Sequence, residues 1–213
     1  MVHAVFVIRH GMRADFEDPG WTTRSPRPWD PPLSPSGVRM AQETAEALAG
    51  AGIQRIFTSP FLRAVQTSHT LAQKCGAPVF VEPGFMEFLL PQYMPWAPDF
   101  LPMEELRRHC PSIDPLWEPR VVPRWPEFHE NLWGAERVRR TLDGIGLDGE
   151  GPVAIVTHGA ITHNSAFALT GVRAGVNIGL CAITTLVRVA GGWRLQSSNQ
   201  DHLSEREHAL RFS

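Results

Sequence analysis

The sequence predicts an α/β fold: a three-layer sandwich with a mostly parallel central sheet, helices on both faces, one antiparallel edge hairpin strand, and a long insertion over the top of the sheet. Three observations carry this. Short β-branched runs such as VHAVFVI (2–8) and GPVAIVT (151–157) are apolar at successive positions, the pattern of strands buried on both faces. Segments of helical periodicity alternate with them, which implies a parallel sheet covered on both sides. Finally, CAITTLVRVAGGWRLQSSNQ (181–200) reads as two strands joined at Gly191–Gly192. A length of 213 residues fits one domain over 1–213, with 83–133 as an insertion within it.

Taken in order, VHAVFVI opens the sheet and a long polar loop follows, carrying Trp21, Arg24, Arg27, Trp29 and a turn at Asp30–Pro32. LSPSGVRMAQETAEALAGAG then predicts a helix, with Ser34 as N-cap and Pro35 at its first position. Val38, Ala41, Ala45 and Leu48 form its apolar stripe, and Gly50 and Gly52 stop it. IQRIFTS (53–59) is a strand. The next helix is SPFLRAVQTSHTLAQKCG, capped by Ser59, with Phe61, Ala64, Val65, Ser68, Leu71 and Ala72 facing inward. PVFVE (78–82) is a third strand. The rhythm then breaks in a proline- and tryptophan-rich stretch whose helical candidate lies near Met103–His109. A stretch this long with little regular structure is functional in a compact protein. Helical pattern resumes at about Trp133–Ile145, followed by the GPVAIVTHG strand and the AITHNSAFALTG helix.

Composition narrows the function. Twenty basic residues against 22 acidic ones, with no run of like charge, exclude an obvious nucleic-acid footprint. Three widely spaced cysteines form no CxxC or Cys/His cluster, so neither a disulfide framework nor a zinc site is expected. A strand starting at Val2 leaves no signal peptide, and no apolar run nears the roughly 20 residues that span a bilayer. The expectation is a cytoplasmic protein with reduced thiols, no membrane partner and no cofactor. HxH and HExxH spacings are missing, so no metal site is predicted.

In open α/β sheets, ligands bind at the carboxyl ends of the strands. Arg9-His10-Gly11 follows the first strand, Arg63 lies in the first turn after the second, and His158-Gly159 follows a later one. A cation in a helix's first turn opposes the helix dipole, and makes sense if an anion sits between it and the free N–H groups. Arginine offers phosphate two parallel donors. Each residue has a bland alternative as a structural histidine or a solvated charge; the coincidence at three strand ends favours a phosphate cup.

These motifs are identified as similar to a known family. VIRHG resembles the phosphohistidine motif of the phosphoglycerate mutase-like histidine phosphatase superfamily (branch 1). SPFLRAVQTS looks like its second arginine motif, VTHGA like its second histidine motif, and DPPLSPSGVRMAQ like its helix entry. RHGMRADF and VEPGFMEF are most similar to the suppressor of T-cell-receptor-signalling type and its microbial and transcription-factor-subunit relatives, with Met12 where glutamate is common. The resemblance implies His10 as nucleophile, Arg9, Arg63 and His158 as phosphate ligands, and Arg13 as an additional phosphate arginine. It places the proton donor on Glu87, with Glu82 as the other candidate. The implied activity is a metal-independent phosphomonoesterase acting on a small-molecule or protein phosphomonoester.

Phosphoglycerate mutase-type transfer and a non-catalytic phosphate-binding module are the alternatives. Tyr93, Trp96, Trp117, Trp125, His129 and Trp133 of the insertion are either a lid selecting the leaving group or packing for the insertion itself. None of the six is assigned to substrate.

Overall fold

The computed structural model describes residues 2–127 and 135–205. Its sheet has six strands: β1 (Ala4–Arg9), β2 (Arg55–Thr58), β3 (Val79–Val81), β4 (Val153–Thr157), β5 (Ile183–Val189) and β6 (Gly192–Asn199), in the order β3-β2-β4-β1-β5-β6. Strands β1 to β4 run parallel. The C-terminal hairpin contributes β5 antiparallel to β1, and β6 forms the edge beyond it. The hairpin turns at Ala190–Gly191, one residue earlier than predicted, with Gly191 at φ +87°.

Side chains alternate across this sheet, as strand geometry requires. Ile8, Ile56, Ala154 and Val156 face one core, packed against Ala45, Leu62, Val65 and Leu71 of the helices on that side. Val5, Val7, Phe57, Val153 and Ile155 face the other, packed against Val138, Leu142, Ile161 and Ala166. The first layer contains α3 (Pro35–Ala47), α4 (Leu62–Cys75) and α5 (Met103–His109); the second contains α6 (Ala135–Ile145) and α7 (Gly159–Thr170).

The predicted polar loop after β1 holds two single-turn helices, α1 (Ala14–Glu17) and α2 (Trp21–Arg24), that lack an apolar stripe to announce them. Ser34 caps α3 as expected, its hydroxyl accepting from the Gly37 amide at 3.1 Å. The stripe is turned from the expected one: Val38 is exposed, and Gly37, Met40 and Thr44 face inward beside Ala41 and Ala45. Thr44 can do so because its hydroxyl donates to the Met40 carbonyl one turn back.

The entry to α4 also differs. The helix begins at Leu62, and the acceptor for the Leu62 amide is Asp30 Oδ1 at 2.7 Å, from 32 residues upstream. In the insertion, α5 coincides with the predicted helix. Trp117 stacks near Phe57 and Phe80, while Trp125 donates its indole N–H to the Met94 carbonyl. His129 and Trp133 lie outside the described residues. Among the described residues, no helix is long and apolar enough to cross a membrane.

Candidate active site

Strand order brings the motifs together. Because β4 is inserted between β1 and β2, Arg9 pairs with Thr157 and Thr58 with Val156, so three strand ends carry His10, His158 and Ser59 side by side. The His10 amide donates to the Thr157 carbonyl at 2.9 Å, and the Ser59 amide to the Val156 carbonyl at 3.1 Å. The His10 and His158 rings meet edge to face, centroids 5.1 Å apart.

The tautomer of His10 follows from its partner. Nδ1 lies 2.7 Å from the Gly11 carbonyl, which can only accept, so Nδ1 carries the proton and Nε2 keeps its lone pair. Burial, reinforced by Arg63 and Arg9, holds the His10 pKa well below the usual histidine value. His158 is arranged in the opposite sense. Its Nδ1 accepts from Arg63 Nη2 at 3.4 Å, which leaves Nε2–H to donate to Ser59 Oγ at 2.8 Å. Burial and then Arg63 also depress its pKa. Both rings are therefore neutral near pH 7.

Two buried guanidinium groups complete the cup. Arg9 donates to the Ile178 carbonyl at 2.6 Å, and Arg63 contacts the Trp29 carbonyl at 3.5 Å while its Cζ sits 4.2 Å over the Phe61 ring. The Nε of each lacks a hydrogen-bond partner. Burial lowers the Arg63 pKa to about 9, so it stays charged at neutral pH. Two amides at the start of α4 already have side-chain acceptors: Leu62 N–H goes to Asp30, and Phe61 N–H to Ser59 Oγ at 3.3 Å. Ser59 is thus a partner of His158 rather than the helix cap.

The two candidate acids separate clearly. Glu82 is fully buried, and its carboxylate accepts from the amides of Gly84, Arg120 and Val121 at 3.2, 2.8 and 3.0 Å. Both oxygens of that group are committed to backbone. Among the described residues, Glu87 Oε1 accepts from its neighbour Phe88, and Oε2 lies 4.0 Å from His158 Nδ1. Arg13 sits on the rim, bound through two nitrogens to Asp15 at 2.9 and 2.5 Å. Its charge still reaches the cup, lowering the pKa of both histidines.

Three further residues hold the cup and were not foreseen. The sequence alone places Asp30 in a turn. Thr67 accepts from the Gly11 amide at 3.2 Å and donates to the Arg63 carbonyl at 2.8 Å, joining the His10 loop to α4. Cys181, at φ +55°, brings its amide to 3.1 Å from the Arg9 carbonyl and 3.3 Å from that of His10. The left-handed backbone of a non-glycine residue is the sort of feature a composition-based reading misses.

Comparisons with known proteins bear on the family and the fold. The 55 kDa tau subunit of transcription factor from Saccharomyces cerevisiae is 29% identical over 133 residues, 58% of this chain and 29% of that protein. Ubiquitin-associated and SH3 domain-containing protein A of Mus musculus is 33% identical over 101 residues, 45% of this chain and 16% of that protein. A probable phosphoglycerate mutase GpmB of Proteus mirabilis is 35% identical over 85 residues, 39% of this chain and 37% of that protein. The chain thus spans well under half the length of these curated relatives. In structure it superposes on the ecdysone phosphate phosphatase of Bombix mori, solved with tungstate, with a TM-score of 0.79 at 22% identity, covering 99% of this chain and 98% of that one. A family model described as the histidine phosphatase superfamily (branch 1) matches residues 5–201, from the first strand to beyond the last. A match of that extent, over a sheet that unites the RHG and THG strand ends, makes this chain a member of branch 1 of that superfamily.

Proposed function

We propose that the protein is a metal-independent phosphomonoesterase that works through a phosphohistidine on His10. The observation that carries this reading is the state of the His10 ring. One nitrogen is tied to the Gly11 carbonyl, and the other is unprotonated, buried and beside two guanidinium groups.

In the first step the Nε2 lone pair attacks phosphorus in line, and the P–O bond to the alcohol breaks. Arg9, Arg63 and His158 bind the phosphoryl oxygens as charge redistributes, with Arg13 adding longer-range charge. Glu87 gives its proton to the leaving oxygen. In the second step Glu87 takes a proton from water, whose oxygen attacks the phosphohistidine and releases orthophosphate with neutral His10 restored. The guanidinium groups supply the electrostatic work that a metal performs in other phosphatases. His158 becomes a donor when the ester enters as its monoanion: the ester's proton passes to Nδ1, and Arg63 Nη2 turns from that nitrogen to a phosphoryl oxygen.

The test is hydrolysis of p-nitrophenyl phosphate in EDTA, with rapid quench of a labelled ester. Acid-labile, base-stable label on His10, absent from His10→Ala, is the expected result. Turnover without that label overturns the mechanism. Isomerisation of 3-phosphoglycerate dependent on 2,3-bisphosphoglycerate points instead to a mutase, and orthophosphate binding without any turnover to a binding module. A panel of phosphorylated metabolites and phosphopeptides then identifies the substrate.

A further inference from the structure

Asp30 is a buried carboxylate whose surroundings leave it poorly satisfied. Only 2% of the residue is exposed; Oδ1 accepts from the Leu62 amide at 2.7 Å, and Oδ2 has no hydrogen-bond donor among the described residues. Arg63 Nη1 stands 4.0 Å from Oδ1. Glu82, equally buried, differs in having its oxygens fully engaged by amides. An under-satisfied buried carboxylate is costly, and a cap alone needs no charge. A neutral amide or hydroxyl oxygen caps a helix as well as a carboxylate does.

The cost makes sense from the side of Arg63. Its other polar contacts, to the Trp29 carbonyl and to His158, are long at 3.5 and 3.4 Å, and a ring face beneath it leaves rotation in the plane open. Trp29 and Asp30 are consecutive, so a carbonyl and a carboxylate from one short segment cover the same nitrogen of the guanidinium. We propose that Asp30 is a positioning residue acting through Arg63: anchored to the first amide of α4, its charge fixes the guanidinium so that it faces His158 and the incoming phosphoryl group. Burial also drives the Asp30 pKa up to about 6 against the pull of Arg63, Arg27 and Arg13, the cations that act on it. At neutral pH it is therefore largely ionised and able to do this.

The inference rests on the phosphatase reading, and the experiment separates the two. Asp30→Asn keeps an oxygen for the Leu62 amide and removes the charge. It is expected to lower kcat for p-nitrophenyl phosphate at least tenfold and to weaken orthovanadate binding, read by calorimetry, by a similar factor. Its melting temperature at pH 8 is expected to equal or exceed that of the parent. In an Arg63→Ala background the same substitution should change either quantity less than twofold, because residues acting as a unit are not additive. Unchanged kcat, an equal factor in both backgrounds, or a melting temperature several degrees lower would make Asp30 a helix cap and no more. Should the parent fail to turn over any ester, the phosphatase reading fails, while the vanadate measurements still decide whether Asp30 positions Arg63.

Discussion

At the residue scale, the cup separates groups by what their partners leave free. Glu82 and Glu87 lie five positions apart, yet one is spent on three amides and the other reaches toward His158. Replacing Glu87 by Gln should therefore depend on the leaving group. Alkyl phosphates, whose alkoxide needs a proton, are expected to lose about 10²–10⁴-fold in kcat. With p-nitrophenyl phosphate the first step should survive as a burst of one equivalent of nitrophenol, followed by slow turnover as the phosphohistidine waits for an activated water. A stopped-flow trace with no burst and equal losses for both esters would contradict the assignment. The histidines make a second prediction. Their folded pKa values are depressed, so below about pH 6.5 the unfolded chain takes up protons that the native cup refuses. Stability is full above that pH and falls as the medium is acidified, by about 1.4 kcal/mol per pH unit for each ring. Urea titrations between pH 5 and 7 should show this fall, offset below about pH 6 by the proton that native Asp30 takes up at its raised pKa of about 6, and His158→Asn should flatten it further.

Elements were legible in the sequence where their signals are local. Ser34-Pro35 announces α3 because cap and first turn are adjacent, and β1 and β4 are runs of β-branched residues. The start of α4 was not legible, since its cap arrives from Asp30 through the fold. Val38 departs from the predicted stripe because α3 approaches the His10 loop too closely for a bulky side chain, so glycine occupies the inward place. That approach also explains the glycine beside His10. A Cβ on Gly11 would lie 2.6 Å from the Gly37 carbonyl oxygen, and one on Gly37 only 2.1 Å from that of Met12. Gly159, after the second histidine, has ordinary room, its nearest neighbour being Arg9 at 3.6 Å. Two His-Gly pairs therefore have different reasons. Gly37→Ala is expected to lower the melting temperature by several degrees and kcat by tenfold or more, since backbone must shift behind His10. Gly159→Ala, at the first position of α7, should stay within about threefold of the parent in kcat. Thermal melts and steady-state kinetics on the pair check this; equal damage from both would refute it.

At the scale of the whole molecule, strand-end motifs made the cup readable, but the strand order that assembles it was not. No local signal says that a strand beginning at residue 153 inserts between β1 and β2, because that choice is made by packing on both sheet faces at once. The same holds for the way the insertion is fastened. Arg137, on α6 and buried, donates to the carbonyls of Gly84 and Met86 at 3.0 and 2.9 Å and pairs with Glu127 at 2.9 Å. Glu127 in turn accepts from the Leu89 amide at 2.9 Å. The segment that carries Glu87 is thus held from both sides by one ion pair, whereas Arg9, His10, Arg63 and His158 hang from the sheet and α4. Replacing Arg137 by Met keeps much of the packing and deletes five donors. The two carbonyls and Glu127 lose their partner, which should cost on the order of 3 kcal/mol. Misplacement of Glu87 should lower kcat at least tenfold, while orthophosphate affinity stays within twofold because the proposed phosphate ligands lie on other elements. Calorimetry beside kinetics separates these outcomes, and a parallel loss of phosphate binding would mean that the cup and the Glu87 segment are one cooperative unit rather than two fastened together.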